Sequence, residues 1–175
     1  MTPQEIFDKL AARFGAAVSD FHADAKDPWC IVRAEALLEA ASWLRDEPEM
    51  RFDFLQNLTG VDYPKEGKIA VVYHLFSYPN RHAFQFKVMA DRQDPLVPSL
   101  YPIWRVAGWH ERECYDLLGV FFDGHPDLRR LLLPDDWVGH PLRKDYAEAE
   151  HYHGIPTTRP NPIDLFQVSK KGAAS

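Results

Sequence analysis

Lys68-Ile-Ala-Val-Val-Tyr-His-Leu-Phe-Ser-Tyr78 is the stretch on which the fold turns. Ile69, Val71, Tyr73 and Leu75 alternate to one side, and Ala70, Val72 and Phe76 to the other. A strand with two apolar faces belongs in the middle of a sheet, covered on both sides for most of its length. Pro79-Asn80 then turns the chain. Phe84, Phe86 and Val88 alternate with Gln85 and Lys87, the pattern of a half-exposed partner strand. The two segments predict an antiparallel hairpin at the centre of the domain.

Upstream of the hairpin, Thr2-Pro3-Gln4-Glu5 starts a helix. Thr2 caps it, Pro3 suits the first position and Glu5 completes a capping box. Ile6, Leu10 and Phe14 recur at helical spacing, and Gly15 ends the helix. Residues 16–22 and 29–32 read as strands either side of the turn at Asp27-Pro28. Ala34, Leu37, Leu38, Ala41 and Leu44 make an amphipathic helix that stops before Pro48. The segment of Phe52, Phe54, Leu55 and Leu58 matches neither period. Thr59-Gly60 and Asp62-Tyr63-Pro64 read as loops.

Downstream, Leu100, Trp104, Ala107, Glu111, Cys114 and Leu118 step by four and three along one helix face, with Gly119 as the stop. Gly108 divides this run into two expected helices. In a continuous helix Glu111 faces the core and must be paired. If a fresh helix starts at Gly108, Glu111 falls in its first turn and gains about 0.3–1 kcal/mol from the dipole. Trp109 to Leu132 is also dense in charge, with His110, Glu111, Arg112, Glu113 and Asp116 packed beside Trp109, Tyr115, Leu117 and Leu118. After Pro134 no period of 2 or 3.6 survives, and Pro141, Pro156, Pro160 and Pro162 recur. Together these features predict one α/β (α+β) domain over residues 1–133. It has a mixed, largely antiparallel sheet flanked by helices, and an extended arm over 134–175. Ile155, Ile163, Leu165, Phe166 and Val168 on such an arm call for another protein to cover them.

The chain has 175 residues, 46% of them hydrophobic and 26% charged, which is ordinary globular composition. Its net charge of −6 argues against a nucleic-acid partner, whose footprint would be a basic stripe. No run is long and apolar enough to span a membrane, and no secretory signal is read at the N-terminus. Cys30 and Cys114 form no C-x-x-C pair and fit buried free thiols in a reducing compartment. Phosphate loops and nucleophile elbows are absent from the sequence.

His110 and Cys114, at i and i+4, could share a helix face, but a metal site needs three or four ligands, and the other visible pair is His151-x-His153. Glu111 and Glu113 could act as general acid and base. Two positions apart on a helix, however, they diverge by about 200°, so no catalytic, cofactor-binding or metal-binding residue is assigned. Structural pairing is the simpler reading: Arg112 with Asp116 at i and i+4, and His125, Arg129 or Arg130 answering Glu111 or Glu113. The knot His140-Pro-Leu-Arg143-Lys-Asp145-Tyr146 reads either as a solvated turn or as an anchor on a neighbour.

Glu111-Arg-Glu-Cys-Tyr-Asp-Leu-Leu-Gly-Val120, His125-Pro126 and Leu128-Arg-Arg-Leu-Leu132 resemble the signature of the 30-kDa subunit, also called the C subunit, of NADH:quinone oxidoreductase (respiratory complex I). Trp137, Gly139–Tyr146, Leu58–Tyr63 and the 95–104 region continue the resemblance, over residues 30–146. The resemblance implies a subunit of the hydrophilic peripheral arm on the cytoplasmic side of the bacterial inner membrane. Such a subunit holds no cofactor, because FMN and the iron–sulfur clusters lie in partner subunits. It packs against the D subunit, which helps form the quinone site, with its C-terminal extension along that neighbour. The holoenzyme couples electron transfer from NADH to quinone with proton translocation. Under this reading Glu111, Arg112, Glu113, Asp116, His125, Arg129, Arg143, Asp145 and Tyr146 hold the domain and its partner in register. The alternatives are the corresponding subunit of a membrane-bound hydrogenase or ferredoxin-linked complex, a soluble binding module, or a small acid/base enzyme using Glu111 or Glu113 with His110.

Overall fold

A computed structural model describes residues 1–157. The chain forms two compact units, the first running from Met1 to Asp145 and the second beginning at Tyr146. In the first unit, α1 (Pro3–Phe14) precedes a 3-10 turn, β1 (Val18–His22) and β2 (Trp29–Val32). Next come α2 (Leu37–Asp46), β3 (Phe54–Tyr63), β4 (Lys68–Ser77) and β5 (His82–Asp91). Then follow β6 (Leu96–Pro98), α3 (Ala107–Leu118) and β7 (Phe121–Asp123). The second unit contains a small antiparallel hairpin, β8 (His151–Tyr152) with β9 (Ile155–Pro156). Residues 163, 165, 166 and 168, expected on an apolar arm, lie outside the described residues.

The five-stranded sheet has the order β1-β2-β5-β4-β3. The β4–β5 hairpin is in register from Lys68↔Asp91 to Ser77↔His82, and β3 flanks β4 on its other side. All neighbours are antiparallel except β2 and β5, which run parallel. The sheet is therefore mixed and largely antiparallel, with β4 interior as its pattern requires. Ile69 through Tyr73 are buried on both faces; His74 and Phe76 are half-buried. Ile69, Val71, Tyr73 and Leu75 join Ile6 and Leu10 of α1, Leu37 and Leu44 of α2, and Cys114 and Leu118 of α3 in one core. Each such fully buried aliphatic or aromatic side chain contributes about 1.5–3 kcal/mol. The α1 capping box forms: Glu5 N donates to Thr2 Oγ1 at 3.3 Å and Thr2 N donates to Glu5 Oε2 at 2.8 Å.

Two sequence expectations need correction. Thr59-Gly60 and Asp62-Tyr63 are not loops but interior to the ten-residue strand β3. Gly60 is needed there because α3 lies directly on the strand: a Cβ at Gly60 would be 2.2 Å from Leu118 Cδ1 and 3.7 Å from Cys114 Sγ. A glycine that allows close approach reads locally like a turn. Second, the helical run from Leu100 is not helical until Ala107. Residues 100–106 instead form turns such as Ile103 N to Leu100 O at 2.9 Å. Gly108 does not break the helix but lies in its first turn, where a Cβ would meet the Tyr101 ring at 2.8 Å. In addition, β6 and β7, for which the sequence raised no expectation, pair in parallel as a separate two-stranded sheet, too short for any period to show. Residues 134–145, expected on the arm, belong to the first compact unit.

Gly60→Ala is expected to lower stability by about 1–3 kcal/mol, because the buried Leu118 side chain must give way. The midpoint of urea unfolding measures this. An unchanged midpoint would mean that the β3–α3 contact is not tight.

Candidate functional site

The charged signature is built around the two ends of α3. At its C-terminus, Gly119 adopts φ 77° and lets the chain reverse. A Cβ there would also come within 2.6 Å of His140 Nε2 and 3.0 Å of Arg143 Nη2. A helix end leaves its last four carbonyls without intrahelical donors. Here all four are met. Gly119 N donates to Tyr115 O at 2.9 Å and His140 Nδ1 to Asp116 O at 2.9 Å. Leu142 N donates to Leu117 O at 3.0 Å and Arg143 Nε to Leu118 O at 2.8 Å. The His140–Arg143 knot is thus a helix cap within the chain, and its guanidinium lies at the negative end of the helix dipole.

Asp116 holds the returning segment in place. Its Oδ2 accepts from the backbone N–H groups of Leu131, Leu132 and Leu133 at 3.0, 2.7 and 2.9 Å. Its Oδ1 accepts from Arg130 Nη1 at 2.8 Å. Arg130 also donates to Trp137 O at 2.9 Å. Burial alone would raise the Asp116 pKa. The N–H groups of Leu133 and Leu132, the Arg130 guanidinium and the N–H of Leu131 outweigh it, so the carboxyl lies below its ordinary value. The expected Arg112–Asp116 pair does not form. Arg112, itself buried, donates to Arg129 O at 3.1 Å and Arg130 O at 2.9 Å, binding the same segment from the other side.

Glu111 is fully buried in the second turn of α3. Its partners are neither arginine nor lysine. Ser99 Oγ donates to Oε2 at 2.6 Å and Leu100 N donates to Oε1 at 2.7 Å. Burial raises its pKa, and these two bonds only partly oppose the rise. His125 lies 4.0 Å away. The His125 Nε2 faces Gly108 O at 3.0 Å while Asp127 N donates to Nδ1 at 3.0 Å, which assigns the neutral Nε2–H tautomer. Glu111 and His125 are therefore neighbours, not an ion pair. Glu113 is exposed, and Arg129 bonds Asp127 at 3.0 Å in place of either glutamate.

A second buried carboxylate, absent from the sequence-based set, is Asp62 at the end of β3. Arg92 grips it with two bonds, at 2.7 and 3.0 Å, and Lys144 N donates at 2.8 Å. The Arg92 bond is the chief reason its pKa lies below the ordinary value. Arg92 also reaches Asp145 at 2.6 Å, which brings Asp145 into this set. No local signal in the sequence marks Asp62, since the segment before it follows neither period. Tyr146 opens the second unit. Among the described residues, no three His, Cys, Asp or Glu side chains gather as metal ligands. Cys114, beside His110 in the sequence pattern, is buried, and burial pushes its thiol up to about 12.

The family model for the respiratory-chain NADH dehydrogenase 30 Kd subunit matches residues 30–152, spanning α2, the hairpin, β3 and the whole α3 network. The chain belongs to this family. The C subunit of the NADH-quinone oxidoreductase of Chloroherpeton thalassium is 45% identical over 148 residues, covering 83% of this chain and 61% of the relative. Its counterpart from Chlorobium phaeobacteroides is 42% identical over 151 residues, covering 85% of this chain and 91% of the relative. Among solved structures, the trypsin-resistant fragment of Nqo5 superposes with a TM-score of 0.58 at 30% identity, covering 71% of this chain and 98% of the fragment. A chain of the membrane-bound sulfane sulfur reductase, an archaeal respiratory membrane complex, gives a TM-score of 0.67 at 20% identity and covers 96% of this chain and 91% of its own length. That last likeness is one of fold. Within the family, the mixed sheet flanked by helices agrees with the expected α/β class.

Two substitutions separate the roles of the buried acids. Asp116→Ala leaves three N–H groups and a guanidinium without their acceptor and is expected to lose about 3–5 kcal/mol. Because the folded pKa of Asp116 is depressed, its contribution is present above the ordinary aspartate range and lost as pH falls below it. A urea-unfolding series should thus show a steeper acid loss in wild type than in Asp116→Asn. Glu111 has the opposite sign: its folded pKa is raised, so wild-type stability falls as pH climbs from the ordinary glutamate value through the raised one. Glu111→Gln, which can still accept from Leu100 N and donate to Ser99 Oγ, should lack that decline.

Proposed function

We propose that this chain is a structural subunit of the peripheral arm of a proton-pumping NADH:quinone oxidoreductase. It carries no flavin or iron–sulfur cluster and packs against the D subunit, which helps form the quinone site. The observation that carries the reading is the family match across residues 30–152, together with relatives named as the C subunit of NADH-quinone oxidoreductase. The geometry supports a bracing role. Three charges of the signature are spent on backbone groups of its own chain: Asp116 on three N–H groups, Arg112 and Arg143 on carbonyls. Glu111 is sealed behind Ser99 and Leu100, which disfavours an acid/base enzyme built on Glu111 and Glu113. The cofactor-free reading is supported by thiol chemistry. An iron–sulfur cluster takes about four thiolates, and this chain has two cysteines, both buried with pKa values of about 12.

Among the described residues, no helix is long and apolar enough to cross a membrane. Attachment through the complex, on the cytoplasmic face, is the placement we propose. Membranes from cells expressing a tagged copy test the reading. Affinity purification should recover the other peripheral-arm subunits with NADH:quinone oxidoreductase activity. Recovery of the tagged chain without flavin or iron–sulfur proteins would overturn it.

A further inference from the structure

One cavity takes no part in the capping of α3. It encloses about 250 Å³ beside the first turns of the helix, walled by Tyr101, Arg105, Trp109, Arg112 and Arg129, with Asp127 at its edge. Three guanidinium groups against one carboxylate leave a local excess of two positive charges, in a chain whose net charge is −6. The Asp127 carboxylate is already engaged by Arg129 Nε, at 3.0 Å to both oxygens. His125, which also lines the cavity, is in its neutral tautomer and adds no charge.

Two of the three guanidinium groups lie over aromatic rings. Arg112 Cζ lies 5.5 Å from the centre of the Trp109 ring. Arg105 Cζ lies 4.8 Å from the centre of the Tyr101 ring, and its Nη1 donates to Tyr101 Oη at 2.7 Å. Stacking of this kind fixes a guanidinium plane while leaving edge donors for a ligand. Arg112 Nη1 and the Arg129 Nη groups make no bond to a described residue. At the rim Trp109 is 62% exposed. Arginine, tryptophan and tyrosine are the residues enriched where one protein docks on another, and a guanidinium fork matches a carboxylate.

We propose that this cavity receives an aspartate or glutamate side chain from an acidic segment of a partner protein, with an apolar neighbour of that acid lying on Trp109. A small free anion would satisfy the arginines but leave the indole in water, and the cavity offers no glycine-rich loop of N–H groups to cradle a phosphate. The proposal rests on the reading of the chain as part of a larger complex, since it needs a partner.

Exposed Arg105 and Arg129 can be reversed without touching the capping network. The tagged full chain carrying Arg105→Glu and Arg129→Glu is compared, in native membranes, with a charge-matched control carrying Arg33→Glu and Lys65→Glu at other exposed positions. The expected result is a loss of co-purifying partner subunits of about tenfold or more in the first variant, with the control at wild-type level. A benzophenone amino acid in place of Trp109 should cross-link, in the assembled complex, to a partner peptide containing Asp or Glu. Partner recovery equal to the control, or cross-links confined to lipid or to a segment without acids, overturns the cavity proposal and leaves the proposed place in the complex intact. Absence of partners from the wild-type preparation removes both.

Discussion

One carboxylate, that of Asp116, fixes the segment that returns along α3. Three consecutive backbone N–H groups and a guanidinium converge on its two oxygens. Residues 131–133 have no regular structure to satisfy those N–H groups, so the side chain takes the place of a ladder. Once they are fixed, Arg130 reaches Trp137 O, the chain returns past the end of α3, and His140, Leu142 and Arg143 find the helix's last carbonyls. A segment with little periodicity is thereby ordered through polar groups.

Buried charge normally costs more than it returns. Here backbone dipoles and hydroxyls supply much of what a counter-ion would. Arg112 meets two carbonyls, Glu111 a hydroxyl and an N–H, and Asp116 three N–H groups beside Arg130. Such contacts fix direction as well as distance. The result is a stiff corner joining β3, α3 and the 129–145 segment, the kind of element that suits a brace between larger partners.

The central hairpin, α1 with its capping box, and α2 were legible because each repeats a period of 2 or 3.6 over a full element. The β3 strand was hidden by Gly60, whose missing side chain answers to α3 rather than to a turn. The start of α3 was misread because Leu100 and Trp104 happen to fall in phase with the true helix although the residues before Ala107 form turns. At the site, the helical pattern put Glu111 on the apolar face, where the structure buries it, and paired Asp116 with Arg112, a pair that does not form. It could not reveal their partners, since Ser99, Leu100 and the N–H groups of residues 131–133 carry no charge signature. Asp62 and Arg92, thirty residues apart, are joined by sheet register and nothing local.

The two cysteines have a consequence of their own. With thiol pKa values of about 12, roughly one sulfhydryl in 10⁵ is ionised at pH 7. Thiolates are the form that peroxides, disulfides and alkylating reagents attack. Burial thereby shields the native sulfurs from such reagents for as long as the chain stays folded.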